Sequence, residues 1–373
     1  MSRPSQDPFY AEVRSEPGPG LPVRVRPVDV DCGVTVAGWQ VVHGSTDTRG
    51  RSNAVSGTLL VPARPAAAPG PRPVVSYGVG VHGLGRDAAP SHLLRRGLEP
   101  ELAQIRLALE QGWAVAVSDG EGLGMPGPHT YGAGRAGGQA LLDIARAAVH
   151  VVPDVTADSP VLVWGYSEGG RNAAWAAELQ PGYAPEQRLV AVAAGGVPAD
   201  LREVAAAIDG GPFSALNLAV LVGLAHAHQE PALMAVLTDA GRTRAARAAT
   251  LDVVSLVTGF PEPLRAHTWR DEPWDEPAWR AVLAAERNGA HRPRVPMYVY
   301  HVAGDEIVPT HVGRSLAEWY VGLGAEVTWA DVVADDHLTG GRQGAPAAVA
   351  WLAARLGDAD ADGASPGRAE EVA

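Results

Sequence analysis

Gly165-Tyr166-Ser167-Glu168-Gly169-Gly170 follows the apolar run Val161-Leu162-Val163-Trp164 and precedes a helical stretch from Arg171 to Leu179. This order reads as a strand, a sharp turn and a helix. Small residues two before and two after Ser167 allow a strained turn without side-chain collision, and the serine hydroxyl then projects above the sheet. The free N–H groups and dipole end of the following helix face any negative charge that develops beside the serine oxygen. A Gly-rich pentapeptide arises easily in a chain with 44 Gly, but one set between a strand and a helix suits acyl transfer.

Around this point strands and helices alternate. Helices are expected at about 99–111, 138–151, 168–179, 311–323 and 346–356, and strands at 114–118, 161–164, 189–194, 297–302 and 326–330. That alternation predicts an α/β fold, a mainly parallel central sheet with helices on both faces. Upstream, 34–43 and 55–61 read as a hairpin joined by the polar turn 45–52, and 63–73 as a loop before the strand that opens at Val74. Residues 1–30, rich in Pro, Arg and acidic side chains, are expected to form an extended surface arm. The alternation breaks between Pro198 and Pro293, where the pattern is helical without a convincing strand. The expected organisation is therefore a core of 31–197 and 294–356, a helical cap or lid inserted at 198–293, and an acidic, disordered tail at 357–373.

Composition narrows the chemistry. A formal charge of −12 argues against a nucleic-acid groove or an anionic membrane surface as partner. All 30 basic residues other than His are Arg, so lysine Schiff-base and lysine-nucleophile mechanisms are excluded. Cys32 is the sole cysteine, which excludes an intrachain disulfide and a thiolate metal cluster. His226 and His228 lack a carboxylate or cysteine at metal-ligand spacing, so neither metal nor cofactor is expected. No apolar run reaches the ~20 residues that cross a bilayer, and Pro212–Ala227 reads as a buried or cap helix. The start, MSRPSQDPFYAEV, has no basic segment followed by an apolar core. The chain as it stands reads as cytoplasmic, and as exported if a leader precedes it.

A nucleophilic Ser167 needs a base and an acid to orient that base, both on loops after later strands, in the chain order serine, acid, histidine. Asp305 follows the strand 297–302 and His337 follows the strand 326–330. Glu306 is a rival acid, and Asp335 and Asp336 are weaker ones because they share the histidine's own loop. The oxyanion hole is expected to use the N–H of Glu168 and one N–H from the loop 78–85, donated by His82 or Gly83.

Several separated segments resemble the secretory lipase family of α/β-hydrolases, the group of yeast lipase A. They are AspProPheTyr at 7–10, ValValSerTyr at 74–77, AspAlaAlaProSer at 87–91, AspGlyGluGlyLeuGly at 119–124, AlaLeuLeuAspIleAlaArgAla at 140–147, GlyTyrSerGluGly and GlyAspGluIleValPro. The resemblance runs from about residue 7 to 356, with the motifs in the family's order. It implies an α/β-hydrolase fold and carries the family's triad onto Ser167, Asp305 and His337. The family's oxyanion aspartate falls on His82, a departure that changes local charge, and the family's leader and disulfide are not seen here.

The resemblance also implies a cap that shapes an acyl channel. The apolar stretch 212–224 would supply its wall, while Trp269, Trp274 and Trp279 either line an entrance or pin the cap to the core. The expected function is a serine carboxylic-ester hydrolase acting on a small lipid or acyl ester through an acyl-enzyme. The alternatives are an acyltransferase or thioesterase in a biosynthetic pathway, or a hydrolase-fold binding protein without turnover.

Overall fold

The side chains of consecutive strand residues alternate between two cores, and this alternation fixes how the layers stack. In the computed structural model, which describes residues 2–66 and 70–363, nine strands form one sheet. They are β1 (Pro22–Pro27), β2 (Val36–Thr46), β3 (Ser52–Pro62), β4 (Val74–Gly78), β5 (Ala114–Ser118), β6 (Val161–Tyr166), β7 (Leu189–Gly195), β8 (Met297–Val302) and β9 (Val327–Val332). Their order is β1-β2-β3-β5-β4-β6-β7-β8-β9. The pairs from β1 to β5 are antiparallel, and those from β5 through β4 to β9 are parallel.

Twelve α-helices are described: α1 (Pro90–Leu94), α2 (Leu102–Glu110), α3 (Gly134–Val151), α4 (Glu168–Tyr183), α5 (Leu201–Ile208), α6 (Ala215–His228), α7 (Pro231–Met234), α8 (Asp239–Ala248), α9 (Val253–Gly259), α10 (Pro277–Ala285), α11 (Thr310–Gly322) and α12 (His337–Gly363). Val74, Val163, Val192 and Val299 point into a core closed by α3, α4 and α11. Their neighbours Val75, Trp164, Ala193 and Tyr300 point the other way, into a core closed by α2 and α12. Between β7 and β8 the chain leaves the sheet and forms α5 to α10. Nearly every residue of α6 is buried, as an all-round apolar helix requires.

The arm is more structured than its composition implies. Residues Pro4–Gln6 and Pro8–Tyr10 form short 3₁₀ turns, and Pro22–Pro27 pairs with the free edge of β2 as an edge strand. The reason is local: Arg26 leaves the strand to meet Asp7 at 2.7 Å, and Arg24 donates to the carbonyls of Phe9 and Ala11. Phe9 and Tyr10 thereby enter a small core with Val42 and Met125.

The final helix also differs from expectation. It begins at His337 rather than near Pro346, because the Asp336 carboxylate accepts from the N–H and hydroxyl of Thr339 at 2.6 and 2.9 Å and caps the first turn. It runs to Gly363, so 357–363, expected to be disordered, is helical. An Arg355–Asp358 contact at 3.7 Å, one turn apart, supports the helix where it passes Gly357. The rest of the expected tail lies outside the described residues.

Candidate active site

Ser167 stands between β6 and α4 with φ 58° and ψ −123°, a conformation that costs a non-glycine residue roughly 1–3 kcal/mol. The surrounding glycines permit it by letting the turn close. A Cβ on Gly169 would lie 1.9 Å from the Gly78 carbonyl oxygen, and one on Gly165 would lie 2.3 Å from that of Gly169. The elbow is tied down by the Ser167 N–H, which donates to the Gly195 carbonyl at 2.9 Å. Ser167 stays partly exposed while its neighbours are buried.

At the far ends of β8 and β9 the structure brings Asp305 and His337 together. Nδ1 of His337 lies 2.6 Å from Oδ2 of Asp305. Oδ1 of Asp305 accepts from the N–H groups of Ile307 and Val308 at 3.0 and 2.7 Å. Burial opposes the charge on Asp305, but hydrogen bonds from His301, His337 and Val308 outweigh it and hold the carboxyl well below the usual carboxylate range. The rival Glu306 instead accepts from the backbone N–H of His337 at 2.9 Å. Asp336 caps α12, and no bond from Asp335 to the imidazole is present among the described residues. Nε2 of His337 has no hydrogen-bond partner among the described residues, and His337 lines the same cavity as Ser167.

The two oxyanion-loop expectations separate. Gly83, at φ 104°, forms an antiparallel bridge with Asp252, and a Cβ there would press on the backbone of Leu251 and Asp252. His82 lines the cavity beside Ser167, and Gly83 does not. The N–H of His82 has no acceptor among the described residues, and that of Glu168, first in α4, has none within its helix. The N–H of Gly80, in contrast, is taken by Glu101 at 2.7 Å.

The cavity measures about 460 Å³, within the range of small-molecule sites. Ser167, His337, His82 and Glu101 are among its polar lining residues, with Gln104, Asn217, Thr258 and Arg342, and the greater part of the lining is apolar. Leu201 and Ile208 of α5, Leu216 and Val220 of α6, and Val253 and Val257 of α9 contribute to its apolar wall. A larger hollow of about 540 Å³, lined by Arg135, Arg292 and Arg294, contains neither Ser167 nor His337.

The three tryptophans divide. Trp274 and Trp279 are buried edge to face, and Trp279 donates to the Leu233 carbonyl at 3.0 Å, so both pack the inserted helices. Trp269 is exposed. His228 meets Glu286 at 2.9 Å, and among the described residues no group of three or more His, Cys, Asp and Glu side chains could hold a metal. No helix among them is long and apolar enough to cross a membrane.

Sequence reasoning did not single out His301, His129, Glu99 or Glu101. His301 lies inside β8 and its Nε2 comes within 3.3 Å of Asp305 Oδ2, an i,i+4 spacing that reads as ordinary strand and loop. The other three lie in loops and contact Glu168, His82 and Gly80 respectively, and their sequence gives no signal beyond residue type.

A family model described as secretory lipase matches residues 89–363. The chain is 30% identical to Lipase 2 of Candida albicans over 88% of its own length and 73% of that protein. It is 29% identical to a probable inactive lipase of Mycobacterium tuberculosis, over 95% and 82% of the two chains. Its structure is similar to the X-ray structure of Candida antarctica lipase A in its closed state, with a TM-score of 0.87 and 26% identity, covering 98% of this chain and 88% of that one.

Proposed function

The chain belongs to the secretory lipase family and is a carboxylic-ester hydrolase of α/β-hydrolase fold, and from that premise we propose that Ser167, His337 and Asp305 carry out the hydrolysis. The observation that carries this reading is the unpartnered Nε2 of His337. The opposite face of the ring is locked to Asp305 at 2.6 Å, and the free nitrogen shares a cavity with a serine held in a strained turn. Because one relative is named a probable inactive lipase, activity is argued from these residues and not from kinship alone.

The chemistry follows from the positions. Ser167 Oγ attacks the ester carbonyl carbon while His337 Nε2 takes its proton, and Asp305 stabilises the imidazolium. The carbonyl oxygen becomes an oxyanion that accepts from the N–H groups of Glu168 and His82. The C–O bond to the alcohol then breaks, and His337 protonates the departing oxygen. Water, deprotonated by His337, attacks the acyl-enzyme and releases the acid with Ser167 regenerated. In this reading 198–293 is a cap, and its helices α5, α6 and α9 offer the apolar wall against which the acyl chain of a lipid ester lies. The family description favours action outside the cytoplasm, which fractionation of the producing cells would test.

The decisive experiment is hydrolysis of p-nitrophenyl esters from short to long acyl chains by the wild type and Ser167→Ala, with fluorophosphonate labelling in parallel. Turnover and labelling are expected, both lost in Ser167→Ala. Labelling without hydrolysis of any ester would replace water by another acyl acceptor and overturn simple hydrolysis.

A further inference from the structure

Each of the two residues proposed above as oxyanion donors, His82 and Glu168, has its side chain in a buried histidine–carboxylate pair. Nδ1 of His82 lies 2.7 Å from the Gly80 carbonyl oxygen, and its Nε2 lies 3.0 Å from Oε2 of Glu99. On the opposite side, Oε1 of Glu168 lies 3.0 Å from Nε2 of His129, whose Nδ1 lies 2.7 Å from the Glu121 carbonyl oxygen. His82, Glu99, His129 and Glu168 are 6, 5, 6 and 7% exposed. A neutral imidazole offers one donor and one acceptor. Here all four ring nitrogens face oxygens that only accept, so both rings satisfy their surroundings as donors at each nitrogen.

We infer that His82–Glu99 and His129–Glu168 are two imidazolium–carboxylate clamps that hold the oxyanion donors in place from behind. The inference rests on the hydrolase reading above, and it makes these side chains positioning residues rather than catalytic ones.

The electrostatics agree. Burial, the largest influence, works against a charge on His82, but Glu99, the Gly80 carbonyl and Glu101 outweigh it and raise the imidazole to about 9. For His129 burial is likewise outweighed by Glu168 and the Glu121 carbonyl, and its value rises above the ordinary histidine range. The titratable groups facing His82 are Glu99, Glu101 and Asp119. Those around His129 are Glu168, Glu121, His226 and Tyr131. The loop that carries His82 is also fixed through Glu101, which accepts from the Gly80 N–H at 2.7 Å and from the Tyr77 hydroxyl at 2.5 Å. Loss of a proton from His82 would therefore release either the Gly80 carbonyl or Glu99 and loosen one oxyanion donor, while the acyl wall of the cavity stays unchanged. The effect belongs to kcat rather than KM.

The test combines ring ¹⁵N NMR of the wild type with kcat and KM from pH 6 to 10 for the wild type, Glu99→Gln, Glu168→Ala and Glu168→Gln. Imidazolium shifts for His82 and His129 at pH 7.5 are expected. In the wild type kcat is expected to fall as pH rises through about 9, and in Glu99→Gln that limb moves to lower pH. Glu168→Ala is expected to lower kcat about 10-fold with little change in KM, less than the loss of a whole oxyanion donor, and Glu168→Gln, which keeps an acceptor for His129, recovers most of it. Neutral-ring shifts would overturn the clamps whatever the activity. Folded Glu99→Gln and Glu168→Ala proteins with the wild-type kcat and pH profile would overturn the positioning role. A wild type that hydrolyses no ester is a failure of the hydrolase reading instead, and the NMR then decides on the clamps by itself.

Discussion

Nε2 of His301 lies 3.3 Å from Oδ2 of Asp305, the same oxygen that Nδ1 of His337 reaches at 2.6 Å. His301 is fully buried, and its Nε2 also lies 2.9 Å from the Val308 carbonyl oxygen. Room for the ring comes from Gly313, where a Cβ would stand 2.5 Å from Nδ1. His301 thus adds a second contact to the carboxylate oxygen that His337 holds.

His301→Phe should accordingly lower kcat roughly 10- to 100-fold, because small misplacements of a catalytic group carry penalties of that order. KM for a short ester should change little. Steady-state kinetics with p-nitrophenyl butyrate would check this, and a variant with wild-type kcat would show that Asp305 needs no brace.

Asp305 also predicts a pH dependence of stability. Its folded-state value lies below its unfolded one, through hydrogen bonds that outweigh burial. Its contribution is therefore complete above the ordinary aspartate value of about 4 and is lost as pH falls below that. Denaturant melts between pH 3 and 7 should show a steeper acid loss in the wild type than in Asp305→Asn. Parallel curves would contradict the depressed value.

Arg171, 1% exposed, joins the elbow helix to the inserted segment. It donates to the Pro198 and Gly132 carbonyls at 3.1 and 3.0 Å, to Asn288 at 3.2 Å and to the Glu286 carbonyl. The Glu286 carboxylate, 3.5 Å away, accepts in turn from the Gly134 N–H at 2.8 Å. Arg171→Met leaves these acceptors buried without their donor, which should cost roughly 3–5 kcal/mol. Urea unfolding is the measurement, and a loss within ~0.5 kcal/mol, typical of surface substitutions, would contradict it.

How much of this was legible in the sequence differs from element to element. The parallel strands could be read because each is a short apolar run bounded by turn residues, and Ser167, Asp305 and His337 could be placed because each follows such a run. The arm could not, since Val-Arg alternation at 22–27 is too short to distinguish an edge strand from an extended coil. The start of α12 was hidden because Pro346 resembles a helix start, while the competing cap from Asp336 depends on a side-chain bond to Thr339. The oxyanion loop was ambiguous for a long-range reason. Gly83 is held in a bridge to Asp252, a residue of the distant segment between β7 and β8, and only His82 of the two lines the cavity with Ser167.

The apolar wall gives the last prediction. Val220 of α6 is 7% exposed and lines the cavity together with Phe213 and Leu216. If the acyl chain runs along this wall, Val220→Trp narrows the space for its distal methylenes and leaves the reacting ester group untouched. Each buried methylene is worth about 0.8 kcal/mol, so denying the chain roughly three of them lowers kcat/KM for a long ester by about 50-fold. A butyrate ester, too short to reach that depth, should be hydrolysed at nearly the wild-type rate. The ratio of decanoate to butyrate kcat/KM isolates the effect from any general loss of folding, which would lower both together. A parallel fall across all chain lengths would mean that the acyl group lies elsewhere and that Val220 matters only for packing α6 against its neighbours.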